Sequence, residues 1–95
     1  MTLEQHNTRT KGYFAAMEGE VELGRAFCSW AGIDKFIIEH TEVKPEYNGR
    51  GVGNFIIEGA VKYARENKFQ IIPTCPFANA LFKKHKNDWK DVLFD

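Results

Sequence analysis

The sequence has no apolar run close to the roughly 20 residues that a membrane-crossing helix needs. It has no surplus of either charge, since 13 Lys and Arg balance 13 Asp and Glu. A dedicated nucleic-acid binder carries a basic footprint, so neither nucleic acid nor a membrane is an expected partner. Cysteine is scarce, with only Cys28 and Cys75. Two distant thiols make no disulfide framework, and free thiols of a reducing compartment are expected. The His and Cys residues show no pair at metal-ligand spacing, so no metal site is expected. Pro is limited to three residues. No Pro/Ser/Gly linker, low-complexity tract or internal repeat divides the chain. The N-terminal residues Met1 to His6 lack a basic start followed by an apolar stretch, so a cytoplasmic location is expected.

What is present suits a folded domain. The 95 residues are 43% hydrophobic and 14% aromatic. A chain of this size buries roughly 60–68% of its unfolded surface and can fold alone. Residues 1–95 therefore read as one domain, with 1–11 as a polar tail or a ragged first strand.

Periodicity then sorts the chain. Gly12 to Met17 is short and apolar, and Glu18-Gly19-Glu20 is its turn. Val21 to Trp30 and Lys35 to Val43 alternate, with Ala31-Gly32-Ile33-Asp34 as the turn between them. Short turns imply an antiparallel meander. On the last strand, Phe36, Ile38 and His40 share one parity against Ile37, Glu39 and Thr41. The pattern breaks at Pro45. From Val52 the apolar residues fall at helical spacing (Val52, Phe55, Ile56, Ala60, Tyr63, Ala64), and the helix should end near Asn67 as a left-handed residue. Gln70 to Thr74 reads as a short buried strand, and Pro76 to His85 as a second helix with Pro76 in its first turn. Trp89, Val92, Leu93 and Phe94 give the tail an apolar surface to dock. The order β-β-β-α-β-α predicts an α+β fold. Its sheet is mixed but mostly antiparallel, with one β-α-β crossover and a C-terminal helix.

Chemistry concentrates in two segments. Asn48-Gly49-Arg50-Gly51-Val52-Gly53-Asn54 joins a strand to a helix start. Glycines admit positive φ and close approach of a ligand. The first N–H groups of a helix are unpaired, with the positive end of the dipole behind them. Together these form a site for phosphate or pyrophosphate, and Arg50 adds a cation. A dinucleotide loop would need a third glycine at 54, and a P-loop would need Gly-Lys-Ser/Thr. The second segment is Cys75-Pro76-Phe77-Ala78-Asn79-Ala80-Leu81-Phe82. Cys75 lies at a strand end before a helix start, where the dipole favours negative charge on sulfur. Cys28, in mid-strand, reads as core.

Residues 48–53 resemble the pyrophosphate loop of the GNAT acetyltransferase superfamily, Gln/Arg-x-x-Gly-x-Gly/Ala, with Asn48 in the Gln/Arg position. Ala78 and Leu81 resemble a second element of that superfamily, Asn-x-x-Ala-x-x-Leu-Tyr, with Cys75 replacing Asn and Phe82 replacing Tyr. The Tyr often serves as general acid, and Phe82 has no hydroxyl to do so. Glu39-His40-Thr41-Glu42-Val43 together with Cys-Pro-Phe resembles a compact subfamily, and the likeness covers about residues 12–94.

The resemblance implies an acetyl-CoA-dependent N-acetyltransferase acting on an unidentified small-molecule or protein amine. Asn48, Gly49, Arg50, Gly51, Val52, Gly53 and Asn54 would hold the pyrophosphate. Backbone groups near Thr41 and Val43 would bind the pantetheine arm between splayed strands. His40 would be the base. Cys75 would be either the acid toward the departing thiolate or a nucleophile. The alternative is a non-catalytic acyl-CoA-binding module working with a partner protein. A cysteine-centred redox or hydrolase domain lacks Cys-x-x-Cys and a nucleophile elbow. An exposed sheet edge is compatible with a monomer or a weak dimer.

Overall fold

The computed structural model describes residues 1–94. Five strands lie side by side in chain order: β1 (Thr2–Asn7), β2 (Lys11–Glu18), β3 (Val21–Trp30), β4 (Lys35–Val43) and β5 (Gln70–Pro73). The first four are antiparallel, and β5 runs parallel to β4. Helix α1 (Val52–Asn67) makes the crossover between β4 and β5, followed by α2 (Pro76–Lys84) and the short α3 (Lys86–Trp89). This is the expected α+β class.

The N-terminal segment is a full strand and not a tail. Thr2 to Asn7 pairs with Met17 to Gly12, and Leu3 packs against Gly59 of α1. Its polar composition hid it, because an edge strand packs only its alternate residues and leaves the rest to water.

The core lies between the sheet and α1. Phe14, Ala26, Phe36, Ile38 and Ile71 come from the strands; Ile56, Ile57, Ala60 and Ala64 come from the helix. Tyr63 joins an aromatic cluster, with its ring 5.6 Å from Phe14 and 6.0 Å from Phe36. Helix α1 ends one residue later than its Asn signal suggests. Lys68 takes the left-handed conformation (φ 59°), while the Asn67 amide donates to the Tyr63 carbonyl at 2.9 Å. The tail docks as expected. Trp89 and Val92 are buried, and Ile71 N–H donates to Val92 O along the outer edge of β5.

Two features open the sheet near its middle. Pairing between β4 and β5 covers only Lys35↔Gln70 through Ile38↔Pro73. Pro73 has no N–H to continue a ladder, and Pro76 starts α2. The chain therefore leaves the sheet, tied at the corner by Cys75 N–H to Ile38 O at 3.1 Å. Beyond Ile38, β4 is paired on its β3 side only. The second feature is a β-bulge. Cys28 faces Ile38 but Phe27 faces His40, so Glu39 is an extra residue in β4. One added residue inverts the alternation. His40 therefore does not share the face of Phe36 and Ile38 that simple parity predicts, and Thr41 takes that side instead.

Candidate functional site

The open half of β4 and the start of α1 enclose a cavity of about 290 Å³. Thr41 and Val43 form its strand wall. Asn48, Gly49, Gly51, Val52, Gly53 and Asn54 form the loop and helix wall. Gly49 and Gly51 have φ of 79° and 75°, a conformation that a Cβ strongly disfavours. With Gly51 as N-cap, no side chain caps the helix. The first helical bond runs from Phe55 N–H to Gly51 O at 3.0 Å. The N–H groups of Val52, Gly53 and Asn54 therefore precede the helical ladder and face the end of the dipole, which suits an anion. Sixteen residues of α1 stand behind them. The residue set fits a pyrophosphate-bearing ligand.

Arg50 is placed differently from its loop neighbours. It does not line the cavity. Its Nη2 donates to Glu18 Oε1 at 3.2 Å across the β2–β3 turn, and its guanidinium lies 5.4 Å from the Tyr47 ring. Two wall residues, Tyr47 and Phe77, were not singled out from the sequence. Tyr47 ends a short 3-10 turn begun by Pro45. Phe77 is brought in by α2, and its ring packs on Gly53. The Cys-Pro-Phe segment carried the signal for Phe77, but only the contact between α1 and α2 turns that ring toward the loop.

Cys75 is the N-cap of α2 and is 3% exposed. Its Sγ accepts from Ala78 N–H at 3.4 Å and lies 3.4 Å from Thr41 Oγ1. It does not line the cavity; Thr41 does. Cys28 is equally hidden, and burial pushes its thiol up to about 12. No cap or helix start meets that sulfur, whose contact is Ala26 O at 4.0 Å.

His40 lies on the other side of β4, with its side chain 59% exposed. Its Nε2–H donates to Glu42 Oε1 at 3.0 Å, and its ring stacks on Phe27 at 6.1 Å. This orientation leaves Nδ1 as the lone-pair nitrogen. A second, wider cavity of about 600 Å³ opens between β3 and β4; Phe27 and Glu42, the two partners of His40, line it, and His40 itself does not. Glu22, Arg25, Phe27, Glu42 and Lys44 line it, and Thr41 and Val43 belong to both cavities. Arg25 holds both oxygens of Glu22, at 2.7 and 3.0 Å, and lies 3.6 Å over the Tyr13 ring. The hydrogen bonds to Glu22 raise the Arg25 pKa further above its ordinary value, and the guanidinium stays charged.

Among the described residues, no cluster of His, Cys, Asp and Glu could hold a metal ion. No helix among them is long and apolar enough to cross a membrane.

Known proteins place this architecture. A solved GCN5-like protein from Staphylococcus aureus is 30% identical, spans 97% of this chain and 88% of its own, and superposes with a TM-score of 0.67. A ribosomal-protein-alanine N-acetyltransferase from Brucella melitensis is 15% identical, with 81% of this chain and 62% of that one covered, at a TM-score of 0.68. An aminoglycoside N-acetyltransferase in complex with CoA is 18% identical, with 90% and 87% covered, at 0.58. The last two share the fold. No curated protein matches the sequence. The family described as GCN5-related N-acetyltransferase matches residues 12–92, a span that holds the strand, the glycine loop and both cavity walls. The chain belongs to the GCN5-related N-acetyltransferase family.

Proposed function

We propose that the protein transfers an acetyl group to a primary amine at the open half of β4, with the two reactants on opposite sides of the strand. Acetyl-CoA is the cosubstrate, in keeping with the family and with the CoA-bound aminoglycoside enzyme of the same fold. Its pyrophosphate lies against the N–H groups of residues 49–54. Its pantetheine arm follows the unpaired edge of β4 at Thr41 and Val43. Arg50 stays with Glu18, at the rim of the pyrophosphate site.

The observation that carries this reading is the Glu39 bulge, which separates His40 from Cys75. Acetyl transfer from a thioester needs a base where the ammonium arrives and an acid where the thiolate departs. A Cys–His nucleophilic pair would need the two side chains within hydrogen-bond reach. They are bonded elsewhere: His40 to Glu42, and Cys75 to Thr41 and Ala78. The arrangement supports His40 as base on the wide-cavity side and Cys75 as acid on the cosubstrate side. The ammonium loses a proton toward His40 Nδ1, and its nitrogen attacks the thioester carbonyl. The N–C bond forms, the C–S bond breaks, and sulfur leaves with a proton supplied from the Cys75 side. Of the two protons the ammonium loses, one leaves through His40 and one is accounted for on the CoA thiol.

The test is the release of CoA thiol with acetyl-CoA and a panel of polyamines, lysine peptides and free peptide N-termini. Release dependent on an amine is expected, reduced about 100-fold or more by His40→Ala at neutral pH. Amide NMR shifts at residues 49–54 on adding acetyl-CoA, with no amine consumed, would establish the binding module instead. A stable acetyl adduct lost in Cys75→Ala would make the thiol a nucleophile and overturn its role as acid.

A further inference from the structure

Cys75 is too deeply set to meet the thioester directly. It is 3% exposed and absent from the cavity wall, whereas Thr41 lines the cavity and has its hydroxyl 3.4 Å from the Cys75 sulfur. We infer that Thr41 is a proton relay: its hydroxyl gives the departing thiolate a proton and takes one from Cys75. This inference rests on the proposed acetyl transfer.

Ala78 N–H can only donate, so Sγ accepts there. Between Cys75 Sγ and Thr41 Oγ1, 3.4 Å apart, either atom can be the donor, and the relay uses the arrangement in which the Cys75 S–H donates. With its oxygen accepting, the Thr41 O–H is free to turn into the cavity. The chain runs Ala78 N–H, Cys75 S–H, Thr41 O–H, cavity. Each link polarises the next.

The step balances. As the C–S bond of the thioester breaks, the leaving sulfur takes the Thr41 hydroxyl proton. Oγ1 takes the Cys75 thiol proton in the same event. The negative charge then rests on Cys75 Sγ, where Ala78 N–H and the start of α2 meet it. A proton released by the amine restores the thiol. The Glu39 bulge is what makes this possible, since without it Thr41 would face the other side. A hydroxyl at 41 also replaces what Phe82 lacks.

The experiment compares Thr41→Val, which keeps the shape and removes the hydroxyl, with Thr41→Ser. Each is assayed with acetyl-CoA and with an acetyl thioester of a far more acidic thiol, whose departure needs no proton. Thr41→Val should lower kcat about 100-fold with acetyl-CoA and leave its KM within about threefold. The deficit should vanish with the acidic thioester, and Thr41→Ser should recover most of the rate. The Raman S–H band of Cys75, identified by its loss in Cys75→Ser, should shift in Thr41→Val. Full activity of Thr41→Val, an equal loss with both thioesters, or an unmoved S–H band would overturn the relay while acetyl transfer stands. A wild-type protein that acetylates no amine would remove the proposed function, and the relay with it.

Discussion

Residues 36–38 of β4 are paired on both edges, to Trp30 through Cys28 on one side and to Ile71 through Pro73 on the other. Residues 40–43 of the same strand are paired to β3 alone, with Glu39 as the unpaired bulge between the two halves. The first half sends Phe36 and Ile38 into the core; on the second, Thr41 lines both cavities, Glu42 lines the wider one, and His40 is bonded to Glu42. A fully paired strand has no backbone groups to offer a ligand, whereas an unpaired edge offers a row of donors and acceptors. The closed half therefore secures the fold, and the open half supplies the site. The two cysteines follow the same division. Cys28, opposite Ile38, is held among apolar neighbours. Cys75, at the corner where β5 departs, has an N–H and a hydroxyl on its sulfur.

The largest effect should come from breaking the closed half. Phe36 is 2% exposed and meets the rings of Phe14, Trp30 and Tyr63. Phe36→Ala should cost about 3–5 kcal/mol in urea unfolding, a large share of the stability of a domain this size. A loss below 1 kcal/mol would mean that the closed half is not where stability resides.

A smaller effect should come from forcing the open half away from β3. A Cβ on Gly24 would lie 2.7 Å from the Glu42 carbonyl oxygen and 3.2 Å from Val43 Cα. Both obstacles are backbone and can yield only if β4 shifts. Gly24→Ala should cost about 1–3 kcal/mol and weaken acetyl-CoA binding measured by calorimetry. Unchanged affinity would show that the edge of β4 does not set the cosubstrate site.

The smallest effect is a pH dependence of the closed half. Unfolded, the Cys28 thiol ionises near its ordinary 9.0; folded, burial holds it to about 12. Above the unfolded value only the unfolded chain loses this proton, so stability must fall as pH rises and stop changing beyond the folded value. The slope should approach about 1.4 kcal/mol per pH unit, and the total loss by pH 10 should be about 1.4 kcal/mol. It is measured as the difference between wild type and Cys28→Ala, which cancels other groups. Parallel pH profiles would show that Cys28 is solvated.

Much of the fold was legible. The spans Val21–Trp30 and Lys35–Val43 and the helix Val52–Asn67 match the structure, because alternation and helical spacing are local consequences of burial. The glycine loop was legible for the same reason, since positive φ is a property of single residues. Strand β1 was legible only as one of two readings, tail or ragged first strand, because Glu4, Gln5 and His6 give an edge strand no apolar signature. Tyr47 and Phe77 were missed as wall residues, since each reaches the cavity through contacts between elements distant in sequence.

The sequence by itself determined the α+β class, the crossover and the glycine loop, since each follows from spacing and turn chemistry within a short stretch. Only the tertiary structure decided on which side of β4 each functional side chain stands. That outcome rests on Glu39, which is extra only relative to a partner strand: Phe27 and Cys28 are adjacent on β3, while their partners His40 and Ile38 are not adjacent on β4. Register is a relation between two segments, and no single segment contains it.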